Sequence, residues 1–351
     1  MTKEQSVEAL PPTARRKQSI TLGWRVAIGL ALSLALLALA FWQADFGRLW
    51  QILLGADRRL MLAALGLNLI GLVLRAARWR VLFWRLTDRP FGAFLDGVNI
   101  GYLVNNLFPV RLGDVVRGVL LSRWIPVSAS EALSATVLER VLDSGLILLL
   151  FFGLFPLLPL PPGAGQVGLL GALAVGAALT VMLLAVAQQA RADRWLRWLL
   201  LRTRLPNQEV WAGRAMGLIR GLETLRHAPA LVQFLLWSVL VWAQTVLTFW
   251  VTMLAFLPDL PLTYGALATV AAALGLAAPS APAGIGTFEG AVVGALVLVD
   301  VEPDLARSMA IALHGLPFAA ILMAGLWSLA RRGLGYRGLA QAAAEGRPPA
   351  A

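Results

Sequence analysis

Residues 105–114 read NNLFPVRLGD and interrupt an apolar stretch that runs from residue 91 to residue 122. A second apolar stretch, 263–299, is interrupted in the same way by APSAPAGIG at 278–286. Both interruptions stand where a membrane-spanning helix would have its centre, and a proline in a helix interior costs about 3 kcal/mol. The first stretch is also too short for two complete spans of about 20 residues each. We therefore predict two re-entrant hairpins, each built from two half-helices.

The composition of the whole chain indicates a membrane protein. Of its 351 residues, 59% are hydrophobic and 14% are charged, whereas soluble domains have about 45–50% and about 25%. These values exclude a soluble enzyme. The chain has no cysteine and two histidines in different regions, so disulfides and thiolate chemistry are excluded and we expect neither a metal site nor a cofactor.

Six apolar runs are long enough to span a bilayer. They are 22–42, 60–80, 132–157, 166–188, 230–256 and 308–330. The net charge of +11 comes from arginines at the ends of these runs, which is typical of membrane topology and not of nucleic-acid binding. By the positive-inside rule the basic clusters face the cytoplasm, and the connectors without Lys or Arg face outside. The clusters are 1–21, 75–89, 191–226 and 331–351, and the connectors are 157–166 and 257–262.

The order span, span, hairpin, span occurs twice along the chain, with opposite orientation. We predict an all-α integral membrane protein with about six full spans and two re-entrant hairpins, or about eight hydrophobic helical units, arranged as an inverted-topology repeat. Both termini are expected in the cytoplasm. The predicted parts are an N-terminal tail 1–21, a first repeat 22–157 with hairpin 91–122, a second repeat 166–330 with interfacial segment 191–229 and hairpin 263–299, and a C-terminal tail 331–351.

Ionisable residues near the breaks are the candidates for function. An Asp or Arg that faces lipid at the membrane centre costs roughly 2.5–3.5 kcal/mol, so these side chains must face the interior or the headgroups. The spacing predicts that Glu139 and Asp143 share a helix face, that Arg140 pairs with Asp143, and that Asp114 pairs with Arg117. Two compatible interpretations stay open. The charges lock the first hairpin against 132–157, or arginines bind a lipid phosphate while the acids hold them in place.

In the second hairpin, Gly284 and Gly286 precede a helical run that carries Glu289 in its first turn. The N-terminus of a half-helix offers unpaired N–H groups and a positive dipole end to an anionic headgroup. Alternatively, the glycines only build the turn. Glu289 then caps the helix, although a carboxylate there could also bind a proton or a cation.

Two further groups receive structural interpretations. Arg75, Arg78 and Arg80, beside Trp79, are interpreted as an interfacial anchor. His314 is interpreted as a hydrogen-bonded structural residue in the last span.

Four motifs then occur in order: RAARWR at 75–80, NLFPVRLGDVVR at 106–117, ERVLD at 139–143 and PSAPAGIGTFE at 279–289. Over about residues 20–330 the chain resembles the lysylphosphatidylglycerol synthase transmembrane family, a flippase-like membrane domain. The resemblance implies a multi-pass protein of the cytoplasmic membrane of a prokaryote that is associated with moving lipids between leaflets. The candidate headgroup-binding residues are Asn106, Arg111, Arg117, Arg140, Gly284 and Gly286, and the candidate supporting or coupling charges are Asp114, Glu139, Asp143 and Glu289.

The chain departs from the family pattern in three places. Asp114 stands where the family usually has Glu, Ala283 replaces a glycine in the Pro-Gly-Gly turn, and His314 lies near a common arginine. Only 21 residues follow Ala330, so we expect no aminoacyl-transferase domain and no lysyl transfer.

The leading hypothesis is therefore a non-enzymatic flippase with a hydrophilic cavity between the hairpins. Its partner would be a membrane phospholipid or a polyprenyl-phosphate lipid, and a homo-oligomer is left open. The alternative is an integral-membrane enzyme or accessory subunit that acts on polyprenyl-phosphate-linked sugars. A third hypothesis is a scaffold that binds partner proteins through 191–229. The acids each have an arginine neighbour, which favours binding over acid–base chemistry.

Overall fold

The computed structural model describes most of the chain and is helical. The described residues are 31–86, 88–108, 112–154, 156–158, 163–188, 191, 194, 198, 216–219, 221–278 and 281–335, and no strand occurs among them. The predicted N-terminal tail, the start of the span 22–42, most of the interfacial segment 191–229 and most of the C-terminal tail lie outside these residues. Predictions for those parts of the chain stay predictions.

Helices cover the predicted apolar runs and hairpins with shifts of a few residues at their ends, and one further helix, Phe46–Gly55, lies between the first two runs. They are α1 (Ala31–Ala40), α2 (Phe46–Gly55), α3 (Arg58–Val81), α4 (Phe91–Leu107), α5 (Gly113–Trp124), α6 (Ala129–Leu154), α7 (Ala164–Ala187), α8 (Ala228–Leu254), α9 (Leu262–Ala277), α10 (Thr287–Val297) and α11 (Pro303–Arg331). Of these, α3, α8 and α11 are both long and apolar enough to cross a membrane. The 26 residues of α6 and the 24 of α7 extend about 39 Å and 36 Å at 1.5 Å per residue. Their length suffices for a span, and the total number of spans stays a prediction.

Each interrupted apolar stretch forms two short antiparallel helices that pack against each other. In the first, a Cβ on Gly113 would lie 1.9 Å from the carbonyl oxygen of Gly101, so two glycines let α4 and α5 approach. The Oδ1 of Asn105 accepts a hydrogen bond from the N–H of Gly113 at 2.8 Å, at the start of α5. In the second, a Cβ on Gly275 would lie 2.4 Å from the carbonyl oxygen of Thr287. These are helical hairpins, and their re-entrant course through a membrane stays a prediction.

The two halves of the chain use corresponding packing partners. In the first half α3 packs on α4 and α5 packs on α6, and in the second half α8 packs on α9 and α10 packs on α11. The halves also exchange contacts, because α4 packs on α11 and α9 packs on α6, while α3 and α8 pack on each other. In both hairpins the longer helix comes first. This arrangement supports an internal repeat, and its inverted orientation stays a prediction.

The bundle exposes leucines and buries charges. Leu62 and Leu149 are 69% exposed, whereas the side chains of Arg78, Asp96 and Glu139 are buried. A monomeric soluble protein rarely exposes apolar patches larger than a few hundred Å², and charges are expelled from its core unless they are paired. The distribution fits a surface covered by lipid.

An ion pair fixes the end of α11 to the start of α4. The buried carboxylate of Asp96 lies 2.5 Å from Arg331 Nη2 and 2.5 Å from Arg332 Nε. The guanidinium of Arg332 also lies 4.2 Å from the ring of Trp124 at the end of α5. One carboxylate therefore joins the last helix to the first hairpin.

Candidate functional site

Arg78 lies at the centre of a buried charge network. Its Nη2 lies 2.5 Å from Glu139 Oε1 and its Nη1 lies 2.5 Å from Asp143 Oδ1. The second oxygen of Glu139 accepts a hydrogen bond from Arg117 Nη2 at 2.9 Å. Two arginines from α3 and α5 therefore share one carboxylate of α6. Arg78 is 1% exposed, and its interpretation as an interfacial anchor is wrong.

Aromatic and polar side chains hold these charges in place. The ring of Trp79 lies 4.3 Å from the guanidinium carbon of Arg117, whose Nη2 also donates to Thr136 Oγ1 at 2.8 Å. The indole N–H of Trp242 on α8 donates to Asp143 Oδ1 at 2.9 Å. The network thus ties α3, α5, α6 and α8 together.

The ion pairs of these arginines run between helices and not along one helix. Arg140 Nη2 lies 3.0 Å from Asp114 Oδ1, so the predicted pairs of Arg140 with Asp143 and of Asp114 with Arg117 are wrong. A pair at i,i+3 on one helix contributes only about 0.2–0.5 kcal/mol. In the interior, every buried charge needs a partner from whichever helix faces it. Among the described residues, three arginines and three acids take part in these contacts: Arg78, Arg117 and Arg140 with Asp114, Glu139 and Asp143.

Beside this network lies a cavity of about 660 Å³. Its walls come from α3, α4, α6, α8, α9, α10, α11 and the turn of the second hairpin. The polar residues that line it are Asn68, Arg75, Arg78, Tyr102, Asn105, Asn106, Arg140, Asp143, Trp242, Gln244, Thr245, Thr248, Thr269 and His314. The wall on the second hairpin is mostly apolar and includes Ala272, Ala273, Leu276, Ala277 and Phe288. The cavity therefore has a polar side and an apolar side.

The turn of the second hairpin is built from backbone with positive φ. Gly284 and Gly286 have φ of 80° and 89°, and Ala283 has φ of 59°. The turn thus keeps a left-handed residue at position 283 although the glycine of the family pattern is absent there. Gly284 lines the cavity, whereas a Cβ on Gly286 would lie 2.0 Å from the carbonyl oxygen of Ser33. Gly286 is needed for close packing against α1.

Glu289 makes two contacts at the start of α10. Its Oε2 accepts a hydrogen bond from the N–H of Gly286 at 2.7 Å, and its Oε1 lies 2.6 Å from His314 Nδ1 on α11. The ring of His314 packs on Phe288, with 4.5 Å between the ring centroids. Glu289 is a helix cap and a partner of His314 at the same time, and His314 is hydrogen-bonded as expected. A role for this pair in binding a proton or a cation stays a prediction.

The structure gathers part of the predicted site around the cavity. Asn106, Arg140, Asp143 and Gly284 line it. Arg117, Glu139 and Asp114 lie in the charge network and support this wall, while Gly286 and Glu289 lie at the turn. Arg111 lies outside the described residues.

Sequence reasoning missed the contribution of α3 and α8. Arg75 was interpreted as an anchor, yet it lines the cavity and donates to Thr245 Oγ1 at 2.9 Å. Asn68 and Gln244 line the same wall. The available signal was the presence of polar side chains inside long apolar runs, which in membrane proteins face the bundle interior. Within the described residues, no cluster of three His, Asp or Glu side chains is placed to hold a metal ion.

The fold and the cavity define a multi-pass membrane protein with a polar site enclosed by its helices. The chain belongs to the family described as the lysylphosphatidylglycerol synthase TM region, which matches residues 26–325. A segment of 125 residues is 30% identical to a protein named glycosyltransferase AglD from Haloferax volcanii. That match covers 35% of this chain and 20% of the relative, so it spans about a fifth of that protein's length. No solved structure matches the chain.

Proposed function

We propose that this protein is a lipid transporter that moves an anionic lipid or a lipid-linked intermediate between leaflets. The observation that carries the proposal is the cavity, whose polar wall contains Arg75 and Arg140. Small-molecule sites commonly measure about 300–1,000 Å³, and a volume of about 660 Å³ suits a lipid headgroup. The hydrocarbon tails would remain in the bilayer.

The hairpins support the same proposal. Irregular backbone at membrane depth is tolerated only where it is buried in protein or lines a wet cavity. Broken helices at a repeat interface mark the substrate site in many transporters. Asn106, at the end of α4, and Gly284, in the turn before α10, both line the cavity. The two breaks therefore meet at one site.

We place the protein in the cytoplasmic membrane of a prokaryote, with both hairpins re-entrant and both termini in the cytoplasm. The basic ends of α3 and α11 would then face the cytoplasm, as the positive-inside rule requires. Asp96 holds Arg331 and Arg332 next to the start of α4, which brings these ends to the same side of the bundle.

We also propose that the activity is binding and transport without covalent chemistry. The carboxylates near the cavity are already engaged: Asp143 with Arg78, Asp114 with Arg140, and Glu289 with His314. Asp143 and Asp114 are held by guanidinium groups, which makes them weak general bases, and Glu289 is occupied as the cap of α10. The similarity to a protein named a glycosyltransferase favours the alternative, an enzyme or accessory subunit acting on polyprenyl-phosphate-linked sugars. Conversion of a polyprenyl-phosphate sugar by the purified protein would favour that alternative.

The proposal is tested by filling the cavity. Ala273 lines it, and its neighbour Leu274 is 50% exposed on the outside of α9. In proteoliposomes, Ala273→Trp should abolish translocation of a labelled anionic lipid, whereas Leu274→Trp should transport like the wild type. Thermal stability of both variants is recorded in parallel. Wild-type translocation by a stably folded Ala273→Trp variant would refute transport through this cavity.

A further inference from the structure

One wall of the cavity carries Arg75, whose side chain is held by a neutral hydroxyl group. Arg75 Nη2 donates to Thr245 Oγ1 at 2.9 Å, and Thr245 gives its own hydrogen to the carbonyl oxygen of Val241 at 2.8 Å. The hydroxyl is thus a neutral acceptor that orients Arg75 without neutralising it. Within the part of the chain that the structure describes, Arg75 forms no ion pair. Arg75 therefore presents to the cavity a positive charge that no described carboxylate contacts.

The side-chain amide of Gln244 lies next to Arg75. Gln244 is 8% exposed and lines the cavity, and its Nε2 donates to Leu67 O at 2.9 Å and to Thr248 Oγ1 at 2.6 Å. A carbonyl oxygen can only accept, and Thr248 already donates its hydrogen to Gln244 O, so this amide cannot be turned around. Among the described residues, nothing donates to Gln244 Oε1. A buried acceptor without a partner costs free energy, and a ligand hydroxyl would remove that cost.

Gly71 makes room for both groups. A Cβ at this position would lie 2.6 Å from Gln244 Oε1 and 2.7 Å from Arg75 Nη1. The missing side chain therefore lets a cation and an unpaired acceptor stand side by side where α3 meets α8. A ligand that satisfies both must carry an anionic group and a hydrogen-bond donor close together.

We infer that Arg75 and Gln244 form a headgroup subsite for a phosphodiester whose headgroup carries a hydroxyl on the carbon next to the esterified one. The phosphodiester accepts from the guanidinium of Arg75, and the hydroxyl donates to Gln244 Oε1. The inference rests on the proposed function for its lipid ligand, but it concerns binding and not movement. Phosphatidylglycerol and a polyprenyl-phosphate hexose both present this chemistry. Phosphatidylethanol carries the same phosphodiester without the hydroxyl.

The test measures binding by native mass spectrometry of the full chain in phosphatidylcholine nanodiscs. The wild type should bind phosphatidylglycerol about tenfold more tightly than phosphatidylethanol, the effect of one good buried hydrogen bond. Gln244→Leu should abolish this preference and leave the affinity for phosphatidylethanol nearly unchanged. Arg75→Gln should lower the affinity for both lipids about tenfold. Matched controls are Gln233→Leu, an exposed position on α8, and Arg59→Gln, an exposed position at the other end of α3.

A second variant guards against loss of folding in Gln244→Leu. Gly71→Ala keeps both side chains, but its methyl group displaces their ends, so it should also remove the preference. Equal wild-type affinity for the two lipids would overturn the subsite, as would retention of the preference by stably folded Gln244→Leu and Gly71→Ala variants. Tighter binding of a polyprenyl-phosphate hexose than of phosphatidylglycerol would support the subsite and identify a glycosyl lipid as its ligand.

The outcomes for binding and for transport are separable. Hydroxyl-dependent binding without translocation in proteoliposomes would overturn the proposed function and leave the subsite standing. If the protein translocates both lipids but binds phosphatidylglycerol and phosphatidylethanol with equal affinity, only the subsite is overturned.

Discussion

A single guanidinium, that of Arg78, forms ion pairs with two carboxylates in the interior of this bundle. Its contacts to Glu139 and Asp143 are both 2.5 Å, and the three side chains lie on only two helices. The desolvation of such charges can exceed their mutual attraction, so the network is weak evidence for net stability. Removing one partner is a different matter, since it leaves a charge buried without compensation.

Arg78→Ala should therefore destabilise the protein by about 3–5 kcal/mol. Adding Asp143→Asn should recover part of this loss, because Glu139 keeps Arg117 as a partner and the orphaned charge of Asp143 is removed. Unfolding in detergent, followed by circular dichroism, gives both values. The control is Arg85→Ala, whose ion pair with Glu223 is largely exposed on the arginine side and should contribute about 0–1 kcal/mol. Asp143→Asn alone completes the cycle, and a loss in the double variant that equals the sum of the two single losses would show that the charges are not coupled.

At the scale of the element, the hairpins depend on glycine where two helices touch. A Cβ on Gly275 would lie 2.4 Å from a backbone carbonyl oxygen of the facing helix, whereas a Cβ on Gly294 would meet nothing within 4 Å. Backbone cannot move aside as a flexible side chain can. The same hairpin therefore contains one glycine that packing requires and one that it does not.

Gly275→Ala should destabilise by about 1–3 kcal/mol, the usual cost of overpacking. Gly294→Ala should be neutral or stabilising by up to about 1 kcal/mol, since alanine is the better helix former. The difference in melting temperature between the two variants checks this. Similar effects of both would contradict the close approach of α9 and α10.

Hairpin orientation is tested with topology reporters. If α4 and α5 are re-entrant, a reporter inserted after Arg89 and one inserted after Arg123 should both report the cytoplasm. A full span between them would place the two reporters on opposite sides, and the inverted repeat would then fail.

At the scale of the whole molecule, one buried acid, Asp96, links the C-terminal end of α11 to the first hairpin. Asp96 on α4 is fully buried, whereas Arg331, the last residue of α11, and the following Arg332 are partly exposed. The acid and the two arginines therefore differ in their access to water. An arginine that loses its partner can reach water, whereas the carboxylate cannot.

The Arg331→Ala, Arg332→Ala double variant should accordingly destabilise more than Asp96→Asn. Either single arginine variant should be milder, because the other arginine still compensates the acid. Chemical unfolding of all four variants in lipid nanodiscs measures the order. A larger loss in Asp96→Asn than in the double variant would mean that Asp96 is not buried as an anion.

The sequence by itself determined the membrane class, the two helical hairpins and the family. These follow from local properties: the length of an apolar run, a proline or glycine at its centre, and the order of short motifs. The burial of Arg117, Glu139 and Asp143 was also predictable, since lipid cannot solvate these charges.

Only the tertiary structure decided which charges meet. Arg140 and Asp143 are neighbours on α6, yet Arg140 pairs with Asp114 of α5 and Asp143 pairs with Arg78 of α3. The partner of each charge depends on which helix packs against it, and the sequence of one helix does not contain that information. For the same reason, the sequence shows Gln244 only as a single amide within an apolar run. Its position beside Gly71 and Arg75 follows from the packing of α3 on α8. Local patterns fix where a chain is helical and buried, whereas a site forms from side chains that only packing brings together.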